Sequence, residues 1–502
     1  MGREIGSTEY TRGQRTRYRH DLRRNLDLFE TFLDTAEFVD EGTIGVELEL
    51  NLADATTMAP SLTADEVLAT LDDEGFTHEI GRYNVEANLP VSIPHGNGLA
   101  DLERALQARL DQVDAAAREH GARAIPVGHL PTITEELFAG EDWRAPGHRY
   151  AALESSVLEA RGEEIALRIN GEGRGLEASF DSIAPESACT SLQLHLQVPP
   201  EQFAAAWNAA QAIAGPQVAL AANSPFLLGR RLWHETRVPA FVQSLDTRPP
   251  EYAAQGVRPR VWFGERWITS MFDLFEENVR LFPALIPESR LMAEEPLLTP
   301  GASPRLHELM LHNGTVWRWN RPIYDPGTDV PHLRLENRLL PAGPTPADMA
   351  ANAAFFYGIL HSLVFERRPL WSRMSFEQAA DAFEQCARWG LEARIRWPRV
   401  TGRVRVADLL LDQLIPQAME GLRDLGADAD VVERYAGILT GRARTGRNGA
   451  RWQIDTVTSL EVRGLDRPTA LAEMTRRYRA GVDSGDPVHE WPVPARTPAV
   501  GA

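Results

Sequence analysis

The chain predicts an α+β fold: an antiparallel sheet with one face on a helical core and the other lining a charged cavity, plus a helical C-terminal section. Three observations lead there. Gly45-Val46-Glu47-Leu48-Glu49-Leu50-Asn51 alternates apolar and polar residues, and a strand sends successive side chains to opposite faces. The same alternation returns at Arg82–Leu89, Leu192–Val198 and Arg334–Leu339. From about residue 372 the pattern becomes predominantly helical.

Each polar stripe carries ligand-type groups in place of the Lys, Thr and Ser of an ordinary wet sheet face. The four stripes are Glu47, Glu49 and Asn51; Asn84, Glu86 and Asn88; Gln193, His195 and Gln197; and Arg334, Glu336 and Arg338. Two carboxylates on one strand face lie roughly 7 Å apart and, at an effective dielectric of about 20, repel by about 2 kcal/mol. A solvated surface tolerates that repulsion; a bound cation removes it. One such strand alone reads as a wet sheet face, whereas four together point to a cavity with a cation.

The elements follow in order. The polar, Arg-rich N-terminus runs into a helix over 15–35. The first acidic strand covers 43–51, a helix follows near 63–74, and a second strand around 78–90 is closed by Pro90 and His95-Gly96-Asn97-Gly98. Leu102, Leu106, Leu110 and Val113 mark an amphipathic helix over 100–120 that Gly121 stops. Residues 124–127 read as a short strand, 138–150 as a loop and 151–160 as helix. Gly171-Glu172-Gly173-Arg174-Gly175 follows no convincing strand and opens no helix, so a hairpin turn fits it better than a phosphate loop. The His195 strand leads to a helix over 201–214 and to Ala221-Ala222-Asn223-Ser224-Pro225-Phe226, a helix end followed by a turn. The aromatics of 262–280 read mainly as core. Thr345-Pro346 opens a long helix, as an N-cap followed by Pro at the first helical position. The simplest division is an N-terminal helical segment over 1–40, a mixed domain over 41–370, a helical section over 371–490 and a flexible tail over 491–502.

Composition bounds the chemistry. With 502 residues and 43% hydrophobic content, the chain can build a sizeable core. Its net charge of −19 argues against nucleic acid as a partner. All 52 basic residues are arginine. The lack of lysine excludes a Walker-A lysine, a pyridoxal-phosphate Schiff base and a kinase strand lysine. If phosphate is handled, arginine and metal must do it. Only Cys189 and Cys386 are present, no apolar run approaches a membrane span, and no signal peptide is visible. A soluble cytoplasmic protein with no membrane partner is expected.

Several chemistries fall away on spacing. His307 and His312 are five apart, about 140° around a helix, where paired zinc ligands need four. No G-x-S-x-G elbow occurs. Cys189 stands before a strand with no histidine near it on that face, which suits a packed thiol. The carboxylate set survives. Glu47, Glu49, Glu86, Glu336 and Glu79 offer the hard oxygen ligands that Mg²⁺ or Mn²⁺ prefers, and His195 adds an imidazole. Arg334 and Arg338 flank Glu336 and can meet phosphate oxygens with forked hydrogen bonds. Together they imply metal-assisted phosphoryl chemistry.

The motifs Gly45-Val46-Glu47-Leu48-Glu49, Asn84-Val85-Glu86, His195, Asn223-Ser224-Pro225-Phe226 and Arg334-Leu335-Glu336-Asn337-Arg338 resemble, in order and spacing, the glutamate–cysteine ligase family. That family includes bacterial carboxylate–amine ligases and shares the catalytic sheet of glutamine synthetase. The resemblance covers roughly residues 40–365. It implies that the 41–370 section is a catalytic ligase domain, and that Glu47, Glu49, Glu86, His195 and Glu336, with Glu79 as a further acid, hold Mg²⁺ around the phosphates of ATP. It further implies that Arg338 stabilises the transferring phosphoryl group and that Arg237 grips the carboxylate of glutamate, a surface salt bridge being the alternative for Arg237. Trp317 and Arg321, within Gly314-Thr315-Val316-Trp317-Arg318-Trp319-Asn320-Arg321-Pro322, match a segment near the nucleotide; core packing is the alternative for Trp317.

Two departures touch the amine substrate: Pro341 stands where many members carry aspartate, and the helices after 370 exceed the shorter bacterial members. The expected reaction is phosphorylation of a carboxylate, first the γ-carboxylate of L-glutamate, followed by attack of an amine such as L-cysteine. The partners are then small molecules, with self-association left open. Two alternatives remain: a guanidino kinase on the same sheet, and a non-catalytic relative that binds nucleotide or amino acid.

Overall fold

The structure, a computed structural model, describes residues 10–39, 41–289, 303–327 and 330–495, without the side chains at 148 and 149. Its centre is a seven-stranded antiparallel sheet. We number its strands β1 (Ile44–Asp54), β2 (Phe76–His78), β3 (Asn84–Asn88), β4 (Ala122–Ile125), β5 (Ser191–Gln197), β6 (Asn320–Asp325) and β7 (His332–Pro341). The order is β6-β7-β5-β1-β3-β2, with β4 paired to the far end of β1. All four strands expected from alternation are present and adjacent in this order, which puts their polar stripes side by side.

The apolar stripes form the floor. Val46, Leu48, Leu50, Val85, Leu192, Leu194 and Leu335 are all fully or almost fully buried. Each contributes roughly 1.5–3 kcal/mol by leaving water. The covering layer is helical. Helix Pro200–Ala221 meets β7 through paired amide bonds between Gln217 and Asn337. Helix Pro346–Val364 lies behind β5 and β1, where the Tyr357 hydroxyl donates to the His195 carbonyl at 3.1 Å. Thr345 caps that helix in a reciprocal box with Asp348, as the Thr-Pro start predicts.

Several expectations change. The strand expected over 78–90 is split into β2 and β3, and residues 79–83 make the hairpin connection between them. Glu79 therefore leaves the turn, not a strand face, and swings beside Glu86. The helix expected over 201–214 and the helix end expected at Ala221-Ala222 belong to one helix, continuous through Gly215-Pro216. Gly215 acts there as a contact point: a Cβ on it would stand 2.7 Å from the Ala382 backbone of helix Phe376–Trp389. Close helix packing has overridden two local breakers. Within 262–280, the sequence carries a missed helix, Met271–Leu281, started by a Ser270–Asp273 capping box. Gly171–Gly175 is indeed the turn of a hairpin, between strands Ile165–Ile169 and Leu176–Phe180.

The N-terminal helix spans Arg12–Thr35 and buries Tyr18, Leu22, Leu26, Phe29 and Phe32 along one stripe. The helices after residue 370 share one continuous core with the sheet domain. Trp491, at the head of the expected tail, is buried edge-on against Trp452 and Tyr478; residues 496–502 lie outside the described residues. No described helix is long and apolar enough to cross a membrane.

Candidate active site

The polar face of the sheet lines a cavity of about 1300 Å³. All eleven residues assigned from the sequence border it. Register explains why. Glu49 stands directly across from Glu86 on β3, Glu47 from Gln193 on β5, and His195 from Glu336 on β7. Gly45 faces His195 and leaves the imidazole room beside Glu47.

The carboxylates fall into two groups, each close enough to hold one cation. Glu47, His195 and Glu336 form the first, and Glu49, Glu79 and Glu86 the second, with candidate ligand atoms within 4.8 Å of one another in each. The two are electrostatically unlike. In the first, Glu336 is 1% exposed and gripped by the Arg321 fork and by Arg338 Nη1 at 2.9 Å. Burial works against its charge, yet the two arginines hold its carboxyl well below the usual range. Glu47 is likewise lowered: burial opposes ionisation, but the His195 ring at 3.2 Å outweighs it.

The second group has too little positive charge. Glu49 accepts from the Ser191 backbone at 2.6 Å and from Gln193 Nε2 at 2.8 Å. Even so, burial, with Glu86 adjacent, raises its carboxyl despite Arg338. Glu79 is raised well above the usual range by burial and by Glu49 and Glu86. Glu86 is oriented by Thr77 at 3.1 Å and Asn88 at 2.9 Å. Three crowded oxygen donors with this deficit fit a hard divalent cation of the Mg²⁺ type. The first group, with an imidazole and an arginine-neutralised carboxylate, fits a more weakly charged demand on the same kind of ion.

Arg338 lies between the groups. Besides Glu336 it donates to Gln193, while its buried Nε has no acceptor among the described residues. Arg334 stands further along β7, tied to Asp325 at 3.1 Å and His332 at 2.8 Å. Trp317 is buried on the cavity wall, so it is both packed and site-lining.

Arg237 is not on the surface. It is 4% exposed and paired with the fully buried Glu235 at 3.2 Å. Glu235 also accepts from the Asn223 backbone at 2.8 Å, so the Asn-Ser-Pro-Phe turn sets this ion pair. Pro341, the departure on β7, packs into the same corner: a Cβ on Gly128 would stand 2.9 Å from both Pro341 and Arg237.

The sequence reading missed two groups. Glu186, on the short helix Ala184–Ser187, lines the cavity with a buried Oε2 that has no partner among the described residues. Burial, with Glu49 nearby, pushes its carboxyl up to about 8. No periodicity marks a single acid on a four-residue helix. His129 is the second: its Nε2 approaches Cys189 Sγ at 3.5 Å, from a loop sixty residues away. The absence of a nearby histidine is thus corrected, but the pair is inert as a nucleophile. Burial drives His129 down to about 3 and Cys189 well up, so neither charged form is favoured. His312 is buried and bonds the Asn278 carbonyl at 2.8 Å.

The profile of Glutamate-cysteine ligase family 2 (GCS2) matches residues 43–477. The match runs through the helices after 370, beyond the 40–365 span of the motifs. Among solved structures, the chain is similar to glutamate–cysteine ligase from Francisella tularensis in complex with AMP. That similarity has a TM-score of 0.50 at 11% identity, over 89% of this chain and 90% of that one. It is also similar to a bifunctional glutathione synthetase from Pasteurella multocida, with a TM-score of 0.47 at 12% identity, over 93% of this chain and 55% of that one. A search of curated protein sequences found no match. With a mixed α/β fold, a curled antiparallel sheet and a family profile spanning most of its length, the chain belongs to the glutamate–cysteine ligase family 2, and with it to the ATP-dependent carboxylate–amine ligases.

Proposed function

We propose that this ligase joins the γ-carboxylate of L-glutamate to an amine, L-cysteine first, using ATP and Mg²⁺, with Mn²⁺ as an alternative ion. The observation that carries the reading is the pair of carboxylate groups on one sheet face, facing one cavity with Arg338 between them.

The residues divide the work. Glu47, His195 and Glu336 would hold one ion and Glu49, Glu79 and Glu86 another; a bound divalent ion supplies neutralising charge for phosphate oxygens. Arg338, with an unused Nε–H, meets charge that develops on the transferring phosphoryl group. Arg321 holds Glu336 ionised and in place. Trp317 and Arg334 form the nucleotide side of the cavity, and Arg237 with Glu235 forms the glutamate side. Glutamate attacks the γ-phosphorus of ATP through its side-chain carboxylate, and ADP leaves. The amine then adds to the acyl phosphate and phosphate departs, leaving an amide. The amine must lose a proton in that step. The departing phosphate, far more basic than the amide it leaves behind, takes it up.

The test is release of ADP and inorganic phosphate from Mg-ATP and glutamate, with and without cysteine. Phosphate released only when cysteine is added is the expected result. ADP without free phosphate would instead indicate a kinase, and tight ATP binding without turnover on a panel of amines would indicate a binding protein.

A further inference from the structure

A second cavity, of about 400 Å³, lies apart from the first, where the N-terminal helix, helix His148–Arg161 and the 281–285 segment meet. At its wall is Arg260, which is 2% exposed. Among the described residues five arginines are buried. Four face a carboxylate: Arg237 with Glu235, Arg318 with Glu277, Arg442 with Asp348 and Arg479 with Asp114. Arg260 faces none. Its Nη1 donates to the Thr315 carbonyl at 3.0 Å and its Nη2 to the Pro283 carbonyl, while its buried Nε–H has no acceptor among the described residues. Carbonyl dipoles satisfy hydrogens but leave the charge without a counter-charge, and a buried unpaired charge is costly. Burial alone brings Arg260 down to about 9.

The other charges around this cavity already cancel. Arg15 is paired with Glu159 at 3.4 Å, Arg248 with Asp246 at 2.7 Å and Arg258 with Glu265 at 2.7 Å. One positive charge is left over. Apart from the uncharged polar Ser156, Thr247 and Gln255, the rest of the wall is apolar: of nine large hydrophobic side chains exposed among the described residues, three, Tyr252, Val257 and Leu281, stand at this one site. The Phe282 ring lies under the guanidinium, 5.9 Å from Arg260 Cζ to the centroid.

We propose that this cavity binds a small organic monoanion, a carboxylate on an aromatic or branched aliphatic body, with Arg260 as its counter-charge. The volume suits such a ligand. A single uncompensated charge matches a carboxylate better than a phosphate dianion, and the exposed tyrosine and aliphatic rim matches an apolar body. The site also sits directly behind the large cavity, since the Trp317 backbone donates to the Arg260 carbonyl at 2.9 Å.

The experiment titrates the full-length protein with 4-fluorobenzoate, followed by fluorine NMR, beside the neutral 4-fluorobenzamide and with inorganic phosphate as competitor. Two variants accompany it: Arg260→Met, and Ala160→Trp, which fills the cavity from an exposed helix position and spares the core. Saturable benzoate binding is expected, at least tenfold weaker for the benzamide, in Arg260→Met and in Ala160→Trp, with the thermal midpoint of Ala160→Trp unchanged. Absence of saturable binding, equal binding to Ala160→Trp, or equal binding of the benzamide would overturn the proposal. Displacement by phosphate as effective as by unlabelled benzoate would overturn the apolar-body assignment. The readout is binding, so its outcome is independent of whether the ligase reaction is confirmed.

Discussion

Glu336 gathers the charged contacts of the candidate site at one side chain. It lies between Arg321 and Arg338 on the sheet and is opposite His195. Glu336→Gln keeps the size and removes the charge, so kcat should fall by about 10²–10³ with the far-UV circular dichroism unchanged; near-normal turnover would remove Glu336 from the site. The neighbouring acids make a second prediction. Glu49, Glu79 and Glu186 keep protons in the fold that the unfolded chain has released. Between the ordinary value of 4.5 and about 8, the folded state therefore binds more protons, and metal-free stability falls as pH rises through that window. Glu47 and Glu336 run the opposite way: their stabilisation is full above the ordinary value and is lost as pH falls below it. A divalent ion must displace the retained protons to bind. The gain in Tm on adding magnesium should thus be larger at about pH 8 than at about pH 6, and an equal gain at both would contradict a cation at the Glu49 group.

The strands act as two-sided elements, and each side has its own test. Leu48 is completely buried between Glu47 and Glu49. Leu48→Ala should cost roughly 2–5 kcal/mol in urea unfolding, and a loss below about 1 kcal/mol would mean that the floor of β1 is not core. Alternation was legible here because a strand's period of two maps directly onto sequence. The split of β2 from β3 was not: Phe76–His78 is too short to display a period, and only pairing shows that the chain reverses over 79–83. Helix Pro200–Ala221 makes the complementary point. Gly215-Pro216 reads locally as a stop, and the Ala382 backbone pressed against Gly215 shows why the pair is tolerated inside a helix.

At the scale of the whole molecule, the C-terminal helices are tied to the site. The Tyr478 hydroxyl donates to the Pro126 carbonyl at 2.7 Å and accepts from Asn223 Nδ2 at 2.7 Å. Gln453 holds the Asn223 side-chain oxygen at 2.9 Å. Asn223 begins the turn whose backbone holds Glu235, the partner of Arg237. Arg442 fastens the start of helix Pro346–Val364 through Asp348 and Asn352. Tyr478→Phe should therefore cost roughly 1–3 kcal/mol of stability and raise the KM for glutamate more than that for ATP. Equal changes in both constants would mean that the C-terminal section supports the fold without tuning the glutamate side.

The sequence by itself determined the sheet's two faces, which carboxylates and which imidazole line the polar one and, through their order, the family. These depend on side-chain period and residue type, both of which are written locally. Only the tertiary structure decided that the carboxylates divide into two groups, that Arg237 is buried against Glu235, that Glu186 lines the cavity and that His129 packs against Cys189. It alone decided that the C-terminal helices hold the Asn223 turn and that Arg260 is buried without a counter-charge among the described residues. Those facts depend on strand register and on contacts between residues tens to hundreds of positions apart, and no local pattern encodes which distant charge a buried charge will meet.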